Sequence, residues 1–582
     1  MRRTKIVCTI GPASSSLETI KAMIQAGMDI ARFNFSHGTH EEHGQRMALV
    51  RQAAEELGKR MPLMLDNKGP EIRLGEVEGK VLLEKDKEVI LTTEPVVGNA
   101  LRLPVNFEGL PQDVRPGDSI LLDDGLIELE VLETTTTEIR CRIKNGGVVS
   151  SHKGVNVPGV ELGLPPLTDQ DIEDLEFGLK QGIDFWALSF VRTANDILAA
   201  REELEKRGAH SQVFIIAKIE TRAAVNNLED ILAVSDGIMV ARGDLGVEIP
   251  VEEVPLVQKR IIQACNRLGK PVITATQMLE SMIQHPRPTR AEAADVANAI
   301  FDGTDAIMLS GETAAGKYPV ESVATMARIA RRAEEELPYT EILRRRNLAG
   351  QASPTEAISF ASCTIAHELK ASAIITPTVS GATARRVAQY RPSAPIIAVS
   401  PNEKVLNHLC LVWGVQPFKI EPAQGIDEMI SSALATALFS GIVKEGDLVV
   451  ITAGIPGVPG ATSLVKVHVM GEVLARGRGI GRGVVTGRAR IINTPEDLLK
   501  VEEGDILIAR ETDDTFLPAF QKAAAVITEE GGLGSHAASA GFNLCLPVII
   551  EARGIRGKVI EGMVITLDIS HGLIYKGETR VL

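Results

Sequence analysis

Short apolar runs recur through the first half of the chain, near residues 4–10, 28–34, 62–66, 184–190, 213–219, 237–242, 271–276 and 305–310. Most are followed by stretches whose apolar residues return every three or four positions, as in Glu41–Leu57, Asn195–Arg207, Val254–Leu268 and Ala291–Phe301. The first pattern is that of a parallel strand buried on both faces, the second that of an amphipathic helix. Eight such alternations predict a closed parallel (β/α)8 TIM barrel. Residues 68–165 have another texture. Val81–Leu83, Val89–Thr93, Ser119–Leu122 and Leu126–Leu132 read as short strands between Pro-Gly, Asp-Asp-Gly and Asn-Gly-Gly turns. They predict an all-β domain inserted after the third barrel strand, where it would lie over the working face as a lid.

Beyond the barrel a charged link, Arg344–Pro354, leads into a second alternation of helix and strand ending near Gly471. Ala373–Thr376, Ile396–Val399, Val415–Lys419 and Leu448–Thr452 read as its strands, in an open α/β domain. The stretch Arg476–Gly483, rich in glycine and arginine, reads as a second link. Asp505–Ala509, Ala525–Thr528, Pro547–Ile550 and Val564–Leu567 are the strands expected in the last domain. The predicted limits are 1–67 with 166–340 for the barrel, 68–165 for the lid, 353–471 for the α/β domain and 477–582 for the C-terminal domain.

Composition narrows the function classes. A chain of 582 residues with 44% hydrophobic and 24% charged residues is that of a soluble globular protein. A net charge of −14 argues against a general nucleic-acid binder, and 3% aromatics leave little for base stacking. No run approaches the ~20 apolar residues of a membrane span. The six cysteines are scattered without a Cys-x-x-Cys pair, which suggests reduced thiols and a cytoplasmic location.

Barrel enzymes carry their working residues at the C-terminal ends of the strands. Here those ends read Arg32-Phe-Asn34-Phe-Ser36-His37, Asp66-Asn67-Lys68-Gly-Pro-Glu71-Ile-Arg73, Ser189, Lys218-Ile-Glu220, Arg242-Gly243-Asp244, Thr276 and Ser310-Gly-Glu312. Lys218 and Glu220, two apart on one strand, share a side. Taken alone, that pair fits a structural ion pair as well as a site. Convergence from several strands favours the site. Glu220 and Asp244 are hard oxygen ligands suited to Mg²⁺. Arg32, Arg73 and Lys218 are cations suited to a transferring phosphoryl group, and Asn34, Ser36 and Asp66 offer oxygens to a second, monovalent cation. Metal-assisted phosphoryl transfer is the expected chemistry. His37 reads equally well as a loop or capping residue.

The stretches Ala31-Arg-Phe-Asn-Phe-Ser-His-Gly38, Leu65-Asp-Asn-Lys-Gly-Pro-Glu-Ile-Arg73, Ile216-Ala-Lys-Ile-Glu220 and Ala241-Arg-Gly-Asp-Leu-Gly246 resemble the motifs of pyruvate kinases. So do Thr274-Ala-Thr-Gln-Met-Leu-Glu280, Pro286-Arg-Pro-Thr-Arg-Ala-Glu292 and Met308-Leu-Ser-Gly-Glu-Thr313, in the family's order over residues 1–471. The resemblance implies a glycolytic phosphotransferase that moves the phosphoryl group of phosphoenolpyruvate to ADP, giving pyruvate and ATP. It implies Mg²⁺ on Glu220 and Asp244, and K⁺ at Asn34, Ser36, Asp66 and Asn67. It implies Arg32, Lys218 and Thr276 as catalytic residues, with Gly243, Asp244 and Thr276 at the substrate carboxylate. Asn34, Phe35, Ser36, His37, Arg73 and Lys153 are implied at the nucleotide. Glu71 is the residue type that accompanies K⁺ dependence in the family. Asn67, where threonine is common, and Ala223, where a polar residue is usual, depart from the pattern. A homotetramer is also implied.

The α/β domain resembles the family's regulatory domain. Thr378, Ser380, Gly381 and Thr383 could hold the phosphate of a sugar-phosphate or AMP effector, with the loop Gly454–Gly460 closing over it. In the tail, Gly531-Gly-Leu-Gly-Ser-His536-Ala-Ala resembles the phosphohistidine domain of phosphoenolpyruvate synthase and pyruvate phosphate dikinase, a swivelling α/β domain. Gly534 stands where that family usually has threonine, and no ATP-grasp domain is evident. A structural or assembly role is expected for the tail, and phosphotransfer through His536 is the alternative.

Overall fold

The computed structural model describes residues 1–347, 353–423, 425–454 and 462–579. Its first compact unit comprises residues 1–351 with segments 379–391 and 402–419. Eight strands close a parallel barrel: Lys5–Thr9, Ile30–Asn34, Leu63–Asp66, Phe185–Leu188, Phe214–Ile219, Gly237–Ala241, Val272–Ala275 and Ala306–Leu309. All eight expected runs are strands. Their residues are buried on both faces because they serve two cores. Val7, Ile30, Met64, Phe185, Ala187, Ile216, Met239, Ile273 and Met308 fill the barrel, while Ile6, Cys8, Ala31, Leu65, Trp186 and Ile215 pack outward against the helices.

That alternation places the site. Two positions beyond an interior apolar residue, the same strand delivers its next interior side chain to the mouth. So Val7 is followed by Thr9, Ile30 by Arg32, Met64 by Asp66, Ala187 by Ser189 and Ile216 by Lys218. Register keeps them level: Thr9 pairs with Arg32, Asn34 with Asp66, and Ala187 with Asp66.

Helices His40–Glu56, Asp169–Lys180 and Arg290–Asp302 start at capping boxes set by Thr39 and Glu42, Thr168 and Asp171, and Thr289 and Glu292. The lid holds a six-stranded sheet, a separate antiparallel pair of strands and, against the all-β expectation, one short helix, Leu110–Asp113. It holds strands beyond those expected: Arg102–Pro104, Glu138–Ile143, Gly147–Val149 and Val155–Asn156. Segments 379–391 and 402–419 pack at the end of the barrel opposite the mouth. There Arg391, 3% exposed, pairs with Asp305 at 2.9 Å, and the Trp413 amide donates to the same carboxylate at 3.1 Å.

The second compact unit holds parallel strands Ile396–Ser400, Ala373–Pro377 and Leu448–Gly454, with the antiparallel Thr462–Val469 beside the last. Val415–Lys419 is a strand as expected. The C-terminal sheet has eight strands, in the order 473–476, 573–576, 564–568, 484–491, 506–509, 525–528, 548–550 and 478–480. One expectation fails here. The stretch expected to be a second link, Arg476–Gly483, contributes to this sheet, with Val473–Arg476 and Arg478–Ile480 as its two edges. Its glycines answer to packing. A Cβ on Gly477 would collide with the Ile550 carbonyl, and one on Gly479 with the Ile569 carbonyl.

Candidate active site

Lys218 sits at the centre of the mouth and is nearly buried. Its Nζ lies 2.7 Å from Glu220 Oε1 and 3.1 Å from Asp66 Oδ1, and donates to Ser189 Oγ at 2.8 Å. Asp66 in turn accepts from Arg32 Nε at 2.7 Å, and Arg32 Nη1 donates to Thr9 Oγ1 at 2.7 Å. Glu220 Oε2 accepts the Phe190 amide at 2.6 Å. Asp66 and Glu220 are about 1% exposed at their side chains, so the charges must settle among themselves. Burial opposes ionisation of Lys218, but Asp66, Glu220 and Asp244 outweigh it and raise its pKa above the ordinary lysine range. Burial also works against Asp66, and Arg32 and Lys218 overcome it, holding that carboxyl below its usual value. Glu220 goes the other way. Burial and the neighbouring Asp244 push it up to about 7, against the pull of Lys218. Asp244 is raised by burial as well. One cation short, the Glu220–Asp244 pair presents oxygens poised for a further positive charge.

The far side of the mouth is held by backbone in unusual conformations. Phe190, Thr276 and Gln277 have φ of 53°, 65° and 54°. Positive φ is costly for a β-branched residue and clusters at functional sites. Arg242 sustains the turn, donating to the Ala275 carbonyl at 3.3 Å and the Thr276 carbonyl at 2.7 Å, with Asp295 on its other side at 2.7 Å. Thr276 Oγ1 accepts the Gly243 amide at 2.8 Å, which brings Gly243, Asp244 and Thr276 together. Glu312, buried, accepts the amides of Leu279 and Ser310 at 3.0 and 2.8 Å and fixes the loops after strands seven and eight.

Asn34 Oδ1 accepts the Ser36 amide at 3.1 Å, beside Asp66 in the strand register. The Asn67 side chain is fully committed, accepting from the Ser189 amide at 3.1 Å and donating to Asp171 at 2.8 Å. Only its carbonyl could serve a cation. The Phe35 ring stacks on His43 at 4.3 Å between centroids, so a ligand could meet its backbone but not its ring. His37 is exposed, and its carbonyl meets His43 Nε2 at 2.8 Å. In the lid, Arg73 pairs with Glu71 at 2.8 Å and donates to the His152 carbonyl at 2.7 Å, while Lys153 pairs with Asp123 at 2.8 Å. Arg73 and Lys153 are neighbours, because Arg73 bridges Gly154 and the Leu74 amide bonds the Lys153 carbonyl. Ala223 lines a cavity of about 760 Å³ between the lid and the loops after strands four to six, together with Glu71, Arg192, Arg222 and Glu248. Thr9, Arg242, Asp295 and Asp171 were not singled out from the sequence. Arg242 stood inside a quoted motif, and Asp171 closes a legible capping box.

Among the described residues no three His, Cys, Asp or Glu side chains cluster as a metal site. The carboxylates of Glu220 and Asp244 nevertheless fit Mg²⁺, which fills the rest of its shell with water and substrate oxygens. Thr378 follows strand Ala373–Pro377, Ser380 and Gly381 precede helix Ala382–Ala388, and Thr383 lies within that helix. Residues 455–460 of the loop expected to cover them lie outside the described residues. His536 opens helix His536–Leu544, with Nδ1 3.0 Å from Thr512 Oγ1 and Nε2 3.3 Å from Asp514.

The family profile "Pyruvate kinase, barrel domain" matches residues 1–323, and "Pyruvate kinase, alpha/beta domain" matches 356–468. The chain belongs to the pyruvate kinase family. It is 52% identical to the pyruvate kinase of Geobacillus stearothermophilus and 51% identical to that of Bacillus licheniformis, over the whole of each chain. Among solved structures, a pyruvate kinase from Cryptosporidium parvum superposes with a TM-score of 0.77 at 39% identity, covering 81% of this chain and 96% of that one. Residues 501–572 match "PEP-utilising enzyme, mobile domain". The chain is thus an enzyme of the pyruvate kinase family with a further C-terminal domain. Among the described residues no helix is long and apolar enough to cross a membrane.

Proposed function

We propose that the barrel mouth transfers the phosphoryl group of phosphoenolpyruvate to ADP, giving pyruvate and ATP, the last step of glycolysis. The observation that carries this reading is the arrangement of Lys218 and Arg32 on opposite oxygens of Asp66, two buried cations aimed into one mouth. Arg32 and Lys218 hold the phosphoryl oxygens in this reading, and Lys218 stabilises the charge as the group moves. The Gly243 amide, turned from Thr276 Oγ1, receives the substrate carboxylate. Thr276 Oγ1 lies beside the enolate carbon that gains a proton, directly or through water. Arg73 and Lys153 meet the nucleotide phosphates from the lid, with Asn34, Phe35, Ser36 and His37 below them.

Glu220 and Asp244 are the residues to hold Mg²⁺, and Asn34, Ser36, Asp66 and the Asn67 carbonyl those to hold K⁺. Bound there, Mg²⁺ supplies neutralisation of phosphoryl charge. The domain limits adopted are 1–67 with 166–340, 68–165, 353–471 and 477–582, although strand Val473–Arg476 already belongs to the C-terminal sheet. A coupled assay with phosphoenolpyruvate, ADP, Mg²⁺ and K⁺ tests the reading, and absence of pyruvate formation would overturn it. With Glu71 beside Arg73, activity should rise with K⁺ at matched ionic strength. A cytoplasmic homotetramer with a phosphorylated-metabolite effector at Thr378, Ser380, Gly381 and Thr383 completes the proposal. Light scattering and a kinetic screen of sugar phosphates and AMP address those two points.

A structural role for the tail is favoured over a dikinase-like activity, since Gly534 stands where the phosphohistidine family usually has threonine. His536→Ala should leave transfer to ADP within twofold. Phosphate on His536 after incubation with phosphoenolpyruvate, seen by mass spectrometry at neutral pH, would contradict this.

A further inference from the structure

The chain leaves the barrel for the lid through Asp66-Asn67-Lys68-Gly69 and returns just ahead of Thr168, the cap of helix Asp169–Lys180. One carboxylate touches both crossings. Asp171 is fully buried in the first turn of that helix. Its Oδ2 accepts the Thr168 amide at 2.9 Å and the Thr168 hydroxyl at 2.7 Å, and its own amide donates to Thr168 Oγ1 at 3.1 Å. That is a complete capping box, and it occupies only one oxygen. The other oxygen, Oδ1, accepts Asn67 Nδ2 at 2.8 Å and the Gly69 amide at 3.0 Å, both on the outgoing crossing.

The contact does not stop at Asn67. Asn67 Oδ1 accepts the Ser189 amide at 3.1 Å, the Ser189 hydroxyl lies 2.7 Å from the Asn67 carbonyl, and Lys218 Nζ donates to that hydroxyl at 2.8 Å. Gly69 turns at φ 76°, and a Cβ there would come within 3.0 Å of Ser189 Cβ, so the crossing is pressed against the end of strand four. A buried, fully satisfied polar chain of this kind holds its members in one arrangement.

We propose that Asp171 is a positioning residue that pins both lid crossings to the barrel and, through Asn67 and Ser189, sets the place of the Lys218 ammonium. It touches neither the proposed substrate residues nor the reacting atoms. The kinetic half of this inference rests on the phosphoryl-transfer reading above, and the exchange half does not.

Three variants of the full chain separate positioning from simple helix capping. Thr168→Val cuts the cap and spares the grip on Asn67. Asn67→Ala cuts the side-chain part of the grip, leaving the Gly69 amide on Asp171, and spares the cap. Asp171→Ala cuts both. All three should lower Tm. Amide exchange at residues 66–69 and 187–189 should rise about tenfold in Asp171→Ala and Asn67→Ala, the factor for a lost hydrogen bond to a charged group. In both, kcat/KM for ADP should fall about tenfold, whereas Thr168→Val stays within twofold of wild type. The double variant Asp171→Ala/Asn67→Ala should lose less kcat/KM than the two single losses multiplied, since both remove the Asp171–Asn67 bond. Wild-type exchange at 66–69 in Asp171→Ala would overturn the proposal. So would an equal kinetic loss in Thr168→Val, or additive losses in the double variant. Should Asp171→Ala fail to fold, Asn67→Ala against Thr168→Val gives the same decision. A wild-type chain inactive with phosphoenolpyruvate and ADP would defeat the functional reading while leaving the exchange result to stand or fall alone.

Discussion

At the scale of single residues, the mouth works because each charge is held by another group with its own anchor. Arg242 illustrates this. Its guanidinium serves two carbonyls and Asp295 at once, and those carbonyls belong to the turn where Thr276 takes a φ of 65°. A lysine offers one point charge in place of a planar fork. Arg242→Lys should therefore lower kcat about tenfold, or about 1.4 kcal/mol, without raising KM for ADP, because the nucleotide residues lie on other strands. Unchanged kcat would mean that the turn holds without it. His408 offers a second test, away from the chemistry. Its ring stacks on Phe214 at 3.7 Å between centroids and meets the Gln212 carbonyl at 3.2 Å. Burial lowers its pKa from 6.5 to about 4, with Asp184 and Asp236 opposing and Arg385 reinforcing the shift. The unfolded chain then binds the proton first. Stability from this group is complete above about pH 6.5 and is lost as pH falls towards 4, a loss on the order of 3 kcal/mol. Thermal unfolding across that range should show a flatter pH slope in His408→Gln than in wild type. Equal slopes would contradict the assignment.

At the scale of elements, what could be read from the sequence follows from what the solvent sees. Barrel strands are buried on both faces, so each is an unbroken apolar run, and helix starts carry capping boxes that can be read letter by letter. The lid strand Glu138–Ile143 buries Ile139, Cys141 and Ile143 alone. Arg140 and Arg142 between them broke the apolar run that marks a buried strand. Thr462–Val469 is an antiparallel edge whose side chains are mostly half-exposed, which weakens the same signal. Arg476–Gly483 misled for a different reason. Glycine there signals close approach of backbone, not freedom, and nothing in the letters separates the two cases. Gly479→Ala tests that point. The added methyl meets the Ile569 carbonyl, so the C-terminal sheet should lose about 1–3 kcal/mol, read as a lower thermal transition. A link would tolerate the change. The charged residues of the site were legible because cations and carboxylates end several buried strands that converge on one mouth. Their anchors Thr9, Asp171 and Asp295 were not, since each becomes meaningful only when another segment is brought beside it.

At the scale of the whole molecule, a barrel with an inserted lid supplies a mouth and two crossings, and the family membership of the chain matches that architecture. The C-terminal sheet adds a further fold, with His536 at the start of helix His536–Leu544. The central claim is that Lys218, held by Asp66, Glu220 and Ser189, stabilises the moving phosphoryl group. Its most direct test is the rate of pyruvate formation from phosphoenolpyruvate and ADP by Lys218→Met, with circular dichroism as a check on folding. A folded variant slowed by at least about 10³-fold is the predicted result. A folded variant that keeps the wild-type rate would contradict it.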